Sequence, residues 1–144
     1  MSNSVVNTIM KTIGKIHIFI YRSSGGNVWK TMLGTPVLVL TTTGCKSGKK
    51  RTTPVVYNRE GENYLIAASV NGADYNPSWY YNIKGSGTAT IEVGAQTLHC
   101  KAEILEGDER DAAYQRFKDH AENFIKYEQK TKRIIPVIRL IPQS

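Results

Sequence analysis

An antiparallel, barrel-like sheet with helices packed on it, mainly β and of the α+β kind, is the fold this sequence predicts. Two observations predict it. The elements read in the order helix, three strands, short helix, two strands, long helix, strand. Strands that follow one another directly are joined by short links, and only the helix-carrying links are longer, which favours antiparallel neighbours over parallel crossovers. The chain of 144 residues, 40% hydrophobic and 22% charged, is expected to form one domain over 1–144, large enough to bury a core.

Val6, Ile9, Ile13, Ile16 and Ile20 recur at spacings of 3, 4, 3 and 4, one apolar face of a helix over Met1–Arg22. With Lys11, Lys15 and Arg22 it reads either as a helix packed on the domain or as a basic amphipathic helix, a lid or a contact to a membrane surface. Ser23–Asn27 ends it, and Val28–Thr35 is a connector in which Trp29 and Met32 are placed to cover a pocket. Pro36–Thr43 and Thr52–Tyr57 are β-type runs, and Tyr64–Ser69 is a short apolar strand after a polar turn. A loop over 70–77 leads to Ser78, the expected cap of a short helix from Trp79 to Lys84 stopped by Gly85. Thr88–Val93 alternates at period 2, Gly94-Ala95 turns, and Thr97–Leu105 alternates again, a β-hairpin. Tyr114, Phe117, Ala121 and Phe124 predict a long helix from Gly107 to about Glu128, capped by Asp108. Ile134–Ile141, with Pro136 near its start, is the last strand.

The stretch between the first two strands, Gly44-Cys45-Lys46-Ser47-Gly48-Lys49-Lys50-Arg51, concentrates four cations within six residues of a glycine-bounded turn. Glycines let backbone N–H groups converge and lysines add charge, so it reads as an anion-binding hairpin. A solvated, Lys-rich turn at a strand end is the other reading. A Walker loop is excluded, because three residues rather than four separate Gly44 and Gly48 and a strand follows. A dinucleotide fingerprint fails at Gly85-Ser86-Gly87, because Thr90 stands where the third glycine belongs.

The net charge of +7 favours anionic partners. No run approaches a membrane-spanning length. The N-terminus lacks a signal core with a cleavage site, and Cys45 and Cys100 have no CxxC or nearby histidine pair. A cytoplasmic protein with two free thiols is expected, with no metal site. His17, His99 and His120 have no partner at catalytic spacing. A barrel for single-stranded nucleic acid needs aromatics interleaved with cations on its strands, and Tyr57, Arg59 and Tyr64 are few, so no specific nucleic acid is expected.

Five blocks taken together resemble the deazaflavin-dependent nitroreductase family: Thr41-Thr42-Thr43-Gly44-x-Lys46-Ser47-Gly48-x-x-Arg51, Thr53-Pro54, Ala68-Ser69-x-x-Gly72-Ala73, Asn76-Pro77-x-Trp79-Tyr80-x-Asn82 and Ile135-Pro136-Val137. The resemblance implies a split β-barrel of the flavin- and deazaflavin-binding type. It also implies an oxidoreductase that takes a hydride from the reduced 8-hydroxy-5-deazaflavin coenzyme F-420, with no catalytic dyad required. A small-molecule acceptor, quinone-like, nitroaromatic or otherwise conjugated, follows from the same resemblance. Related barrels hold FMN, the alternative cofactor.

Carried onto this chain, the resemblance gives the phosphate end of the cofactor to Cys45, Lys46, Ser47, Arg51, Thr52, Thr53 and Pro54. Ala67, Ala68, Ser69 and Val70, with Ser78, Trp79, Tyr80, Tyr81 and Asn82, become the ring-side wall. In that wall Ser69 offers a hydroxyl and the loop to Ala73 offers backbone N–H groups. Phe124 and Tyr127 fall at the acceptor pocket, and Tyr127 and Ser69 are the candidate catalytic residues. For Tyr127 a ring half-buried under the barrel is the other reading. Cys45 and Val70 replace an Arg and a Lys of many relatives, with Lys49 and Lys50 as candidate substitutes. Phe124 stands where relatives that reduce bicyclic nitro drugs carry Tyr.

Overall fold

A computed structural model describes residues 35–143 together with Lys15, Ile18, Thr31 and Met32. Its sheet closes on itself: β2 (Thr35–Thr43), β3 (Lys50–Glu60), β4 (Asn63–Ala67), β7 (Val137–Pro142), β6 (Gln96–Ile104) and β5 (Thr88–Val93) neighbour one another in that order, and β5 pairs back onto β2. Every pairing is antiparallel, as the short links require for β2–β3, β3–β4 and β5–β6. A two-residue strand β1, Thr31–Met32, pairs with the start of β2 inside the expected connector. Three helices complete the described fold: α1 (Ser78–Ser86), α2 (Gly107–His120) and α3 (Asn123–Lys130).

Period-2 alternation sorts the side chains. Leu38, Leu40, Ile66, Ala89, Ile91, Ile138 and Leu140 fill the barrel together with Trp79 and Ile83 of α1. The opposite face of β4 and β7 presents Leu65 and Val137 to Ala113, Tyr114, Phe117 and Phe124 of α2 and α3. Val39 points out of the barrel against Ile18, a helical residue. Lys15 is helical and exposed, and the rest of the expected N-terminal helix, with Trp29, lies outside the described residues. Among the described residues no helix is long and apolar enough to cross a membrane.

Two helices differ from expectation. The long helix breaks at Ala121, whose backbone is extended (φ −145°, ψ 114°). The break turns Phe124 back onto Phe117, with ring centroids 5.0 Å apart, and lets the buried Tyr114 hydroxyl donate to the Phe124 carbonyl at 2.7 Å. Burial pushes the Tyr114 hydroxyl up to about 12. Asp108 lies in the first turn and Glu106 occupies the cap position without a side-chain bond. In α1 the cap position is Pro77, Ser78 is the first helical residue, and the stop is Gly87 at φ 71°, whose N–H reaches the Ile83 carbonyl. Gly85 therefore stays helical.

The barrel is split on one side. The β3–β4 pairs end at Tyr57–Ile66, so Lys50–Val56 is paired with β2 alone among the described strands. At the opposite end of β3, Arg139 on the outer face of β7 ties three elements. It grips Glu60 with both nitrogens at 2.6 and 3.2 Å and also donates to Glu103 and Glu109 at 3.0 and 3.1 Å. Its guanidinium holds the Glu60 carboxyl below its ordinary value. A lowered folded-state pKa stabilises above the unfolded value and is lost as pH falls through the folded one. Thermal melts below about pH 4.5 should therefore decline less steeply in Glu60→Gln than in the parent; parallel declines would show the pair to be silent.

Candidate active site

The hairpin between β2 and β3 is built by its own bonds. Gly44 N–H reaches the Lys49 carbonyl at 2.7 Å, Gly48 N–H the Gly44 carbonyl at 2.9 Å, and Lys49 N–H the Ser47 hydroxyl at 3.2 Å. A Cβ on Gly44 would stand 2.6 Å from Ser47 Oγ and 3.3 Å from the Lys49 carbonyl, so a larger residue would have to turn the Ser47 hydroxyl away from Lys49 N–H. Lys46, Lys49, Lys50 and Arg51 are exposed and, among the described residues, make no ion pair or side-chain hydrogen bond. Unpaired cations on a rigid turn form a donor set that fits a phosphate or carboxylate. Cys45 is exposed beside them, a free thiol, whereas Cys100 is buried and its thiol is pushed up to about 11 by burial.

Asn82 locks this hairpin to α1. Its Oδ1 accepts the Cys45 N–H at 3.0 Å, and its Nδ2 donates to the Thr42 hydroxyl at 3.0 Å. At 5% exposure it has a positioning role rather than that of a wall surface. Asn82→Ala should leave the buried Thr42 hydroxyl and the Cys45 N–H without partners, at about 1–3 kcal/mol of stability. Urea melts measure it, and an unchanged midpoint would show that the hairpin holds itself.

Farther along β3, Thr52 shares a 3.3 Å hydroxyl contact with Thr41, and Thr53 and Pro54 are half-buried on the split edge. On the other flank Ala67 and Ala68 are buried at the end of β4, and Ser69 and Val70 are half-buried. The loop that follows uses most of its N–H groups internally: Ser69 on Ala67, Gly72 on the Ser69 hydroxyl oxygen at 3.1 Å, and Ala73 on Val70. The expectation that this loop points N–H groups outward is thus corrected for Ser69, Gly72 and Ala73, whereas the Ser69 hydroxyl keeps its proton to donate. In α1 Ser78 is exposed, Trp79 is 8% exposed within the barrel core, Tyr80 is half-buried and Tyr81 is 50% exposed. The Tyr80 and Tyr81 rings meet edge-on at 5.3 Å.

The third side comes from α3 and the residues after it. Tyr127 is half-buried, its hydroxyl 3.3 Å from Asn71 Oδ1 and its ring edge-on to Phe124 at 5.4 Å. Phe124 itself is only 6% exposed, so it packs between helix and sheet instead of facing a pocket. Gly72, at φ 80°, sits so close to α3 that a Cβ would lie 2.9 Å from Tyr127 Cα. Lys130 donates to the Asn71 carbonyl and Thr131 to Asp74 at 2.7 Å. Sequence reading missed Arg133. Its guanidinium donates to the Ala68, Ala73 and Tyr75 carbonyls and to Asn76 Oδ1. Carbonyls of the backbone leave no trace in side-chain pattern, so no signal marked it.

A cleft of about 800 Å³ opens elsewhere, on the outer face of β2, β5 and β6. Thr41, Thr90, His99 and Lys101 line it, and it shares Lys50 and Thr52 with the hairpin strands, yet it contains none of the ring-side residues. Among the described residues no group of His, Cys, Asp or Glu is placed to hold a metal. Tyr57 and Tyr64 pack edge-on at 5.4 Å, and Tyr64 is 4% exposed, so Tyr64 presents no face for a nucleobase.

A six-stranded split barrel with a cationic glycine hairpin beside an aromatic helix start defines a protein of the flavin- and deazaflavin-binding barrel class. The family described as F420H(2)-dependent quinone reductase matches residues 13–142, and the chain belongs to that family. An F420H(2)-dependent quinone reductase of Mycobacterium tuberculosis is 34% identical over 132 residues, 88% of this chain and 87% of that protein. The solved structure of an F420-H2 dependent reductase superposes with a TM-score of 0.68 at 37% identity, over 73% of this chain and 93% of that one. A solved domain-swapped dimer superposes at 0.70 with 30% identity, over 94% of this chain and 98% of that chain.

Proposed function

We propose that this protein is an oxidoreductase that uses the reduced deazaflavin F-420 to reduce a quinone. One observation carries the reading: the four exposed cations of a hairpin locked by Asn82, unpaired among the described residues, stand at the split of the barrel, in a chain of the quinone reductase family. When bound, the deazaflavin supplies a hydride from its C5 position. The chain's own residues bind and orient. Lys46, Ser47 and Arg51 hold the phosphate end, with Cys45 and Thr52–Pro54 alongside. The apolar exit of β4, Ala67–Val70, and the Tyr80 and Tyr81 rings of α1, backed by the core residue Trp79, exclude water from the ring side. The Ser69 hydroxyl donates to a ring carbonyl. Tyr127, whose hydroxyl now rests on Asn71, turns to the acceptor oxygen. A quinone is preferred over a bicyclic nitro acceptor, because Phe124 is buried and lacks a hydroxyl.

Fluorescence titration with oxidised deazaflavin and, separately, with FMN tests this. Binding of the deazaflavin alone at about micromolar Kd, roughly −8 kcal/mol, is expected. Preference for FMN would move the chain to the flavin branch of the same barrel, and silence with both would sink the redox reading.

A further inference from the structure

We infer that Arg133 is the positioning residue of the ring-side wall, the clamp that fixes residues 68–76 and the start of α1 in one relation; this rests on the proposed role of those segments. Among the described residues, no side chain between Ser69 and Ser78 joins any of the buried apolar clusters. The loop is therefore ordered by polar bonds rather than by packing, and Arg133 supplies the largest share of them. A guanidinium has five N–H groups in a rigid fork. In Arg133 four donor contacts converge on this one loop: Nε on Ala73, Nη1 on Asn76, and Nη2 on both Ala68 and Tyr75, at 2.7–3.0 Å. They reach the end of β4, the turn and the residue before Pro77, so one group spans the whole distance between the two walls.

The anchor itself is rigid. Arg133 is half-buried and its own N–H is held by Thr131 Oγ1 at 3.2 Å. Two residues on, Ile135 is 1% exposed, and the Pro136 carbonyl accepts the Ala68 N–H at 2.8 Å. Among the described residues Arg133 makes no ion pair within 4 Å, so its hydrogen bonds go to the loop's carbonyl and amide oxygens. A lysine cannot replace it, because one ammonium on a flexible stem cannot meet four acceptors spread in a plane.

The test uses the full chain carrying Arg133→Ala and Arg133→Lys. Amide exchange of the free protein should show residues 69–76 losing protection while the barrel strands keep theirs. With reduced deazaflavin and a soluble quinone, kcat should fall about tenfold or more, the scale of a misplaced near-attack geometry. KM for the deazaflavin should move far less, because the hairpin cations are untouched. Added guanidinium ion should restore part of both protection and rate in Arg133→Ala, and Arg133→Lys should remain defective. Should the alanine variant fail to fold, the lysine variant carries the same two readouts. Retained loop protection, or an unchanged kcat, would overturn the clamp. A parent enzyme that turns over no deazaflavin would instead sink the cofactor reading, and the clamp would then be judged on exchange and its rescue by guanidinium alone.

Discussion

Gly72→Ala is expected to be the most damaging single-methyl change in the site. Gly72 adopts φ 80°, a left-handed backbone that costs a non-glycine residue about 1–2 kcal/mol. The added carbon would also stand 2.9 Å from Tyr127 Cα and 3.1 Å from the Tyr127 carbonyl, both backbone atoms that no rotamer change can move. Overpacking of this kind adds about 1–3 kcal/mol, so a total of roughly 2–5 kcal/mol follows. The strain also has a direction. It pushes the 69–76 loop away from α3 and breaks the Asn71 contacts to Tyr127 and Lys130. Chemical denaturation should show the midpoint falling, and amide exchange should locate the loss in the loop and α3. A midpoint within experimental scatter of the parent would mean that the loop and helix can separate at no cost.

Lys46→Ala acts on binding and leaves folding alone. Lys46 is exposed and bonds no other side chain among the described residues, so its removal is expected to take little from the fold. Loss of one hydrogen bond to a charged phosphate oxygen is worth about 1.5–3 kcal/mol, roughly a ten- to hundredfold rise in Kd for the deazaflavin. The thermal midpoint should stay put, and added salt should narrow the gap between variant and parent. Parental affinity would mean that Lys49, Lys50 and Arg51 suffice without it.

Much of this fold was legible because it is local. Thr88–Val93 is a strand with the expected ends, and Gly94 turns it into β6, since alternation and a glycine turn need only neighbouring residues. Link lengths implied an antiparallel, barrel-like sheet but neither which strands close it nor their register, because Leu40 and Ile91, paired across β2 and β5, lie far apart in sequence. The single helix expected over Gly107–Glu128 failed for an instructive reason. Tyr114, Phe117, Ala121 and Phe124 do share one buried cluster, but two helices meeting at Ala121 keep that same face. In the site, the tight glycine hairpin was readable from composition. The task of Asn82, bonding a backbone N–H across the chain, was not, and Trp79 and Phe124 proved to be packed as core rather than displayed as surface. Arg133 was invisible because three of its four partners are main-chain oxygens.

The one-sided pairing of Lys50–Val56 has a consequence for colloidal behaviour. An unpaired strand edge is a template for a strand of another molecule. Among the described strands that edge faces no partner, and it carries Lys50, Arg51 and Pro54: two like charges that oppose pairing with an identical edge, and a ring with no N–H to offer it. The cations that would greet an anionic ligand thus also oppose edge-to-edge pairing in its absence. Neutralising Lys50 and Arg51 together would strip the edge of its charge, so such a variant would gain a tendency to self-associate as it lost affinity.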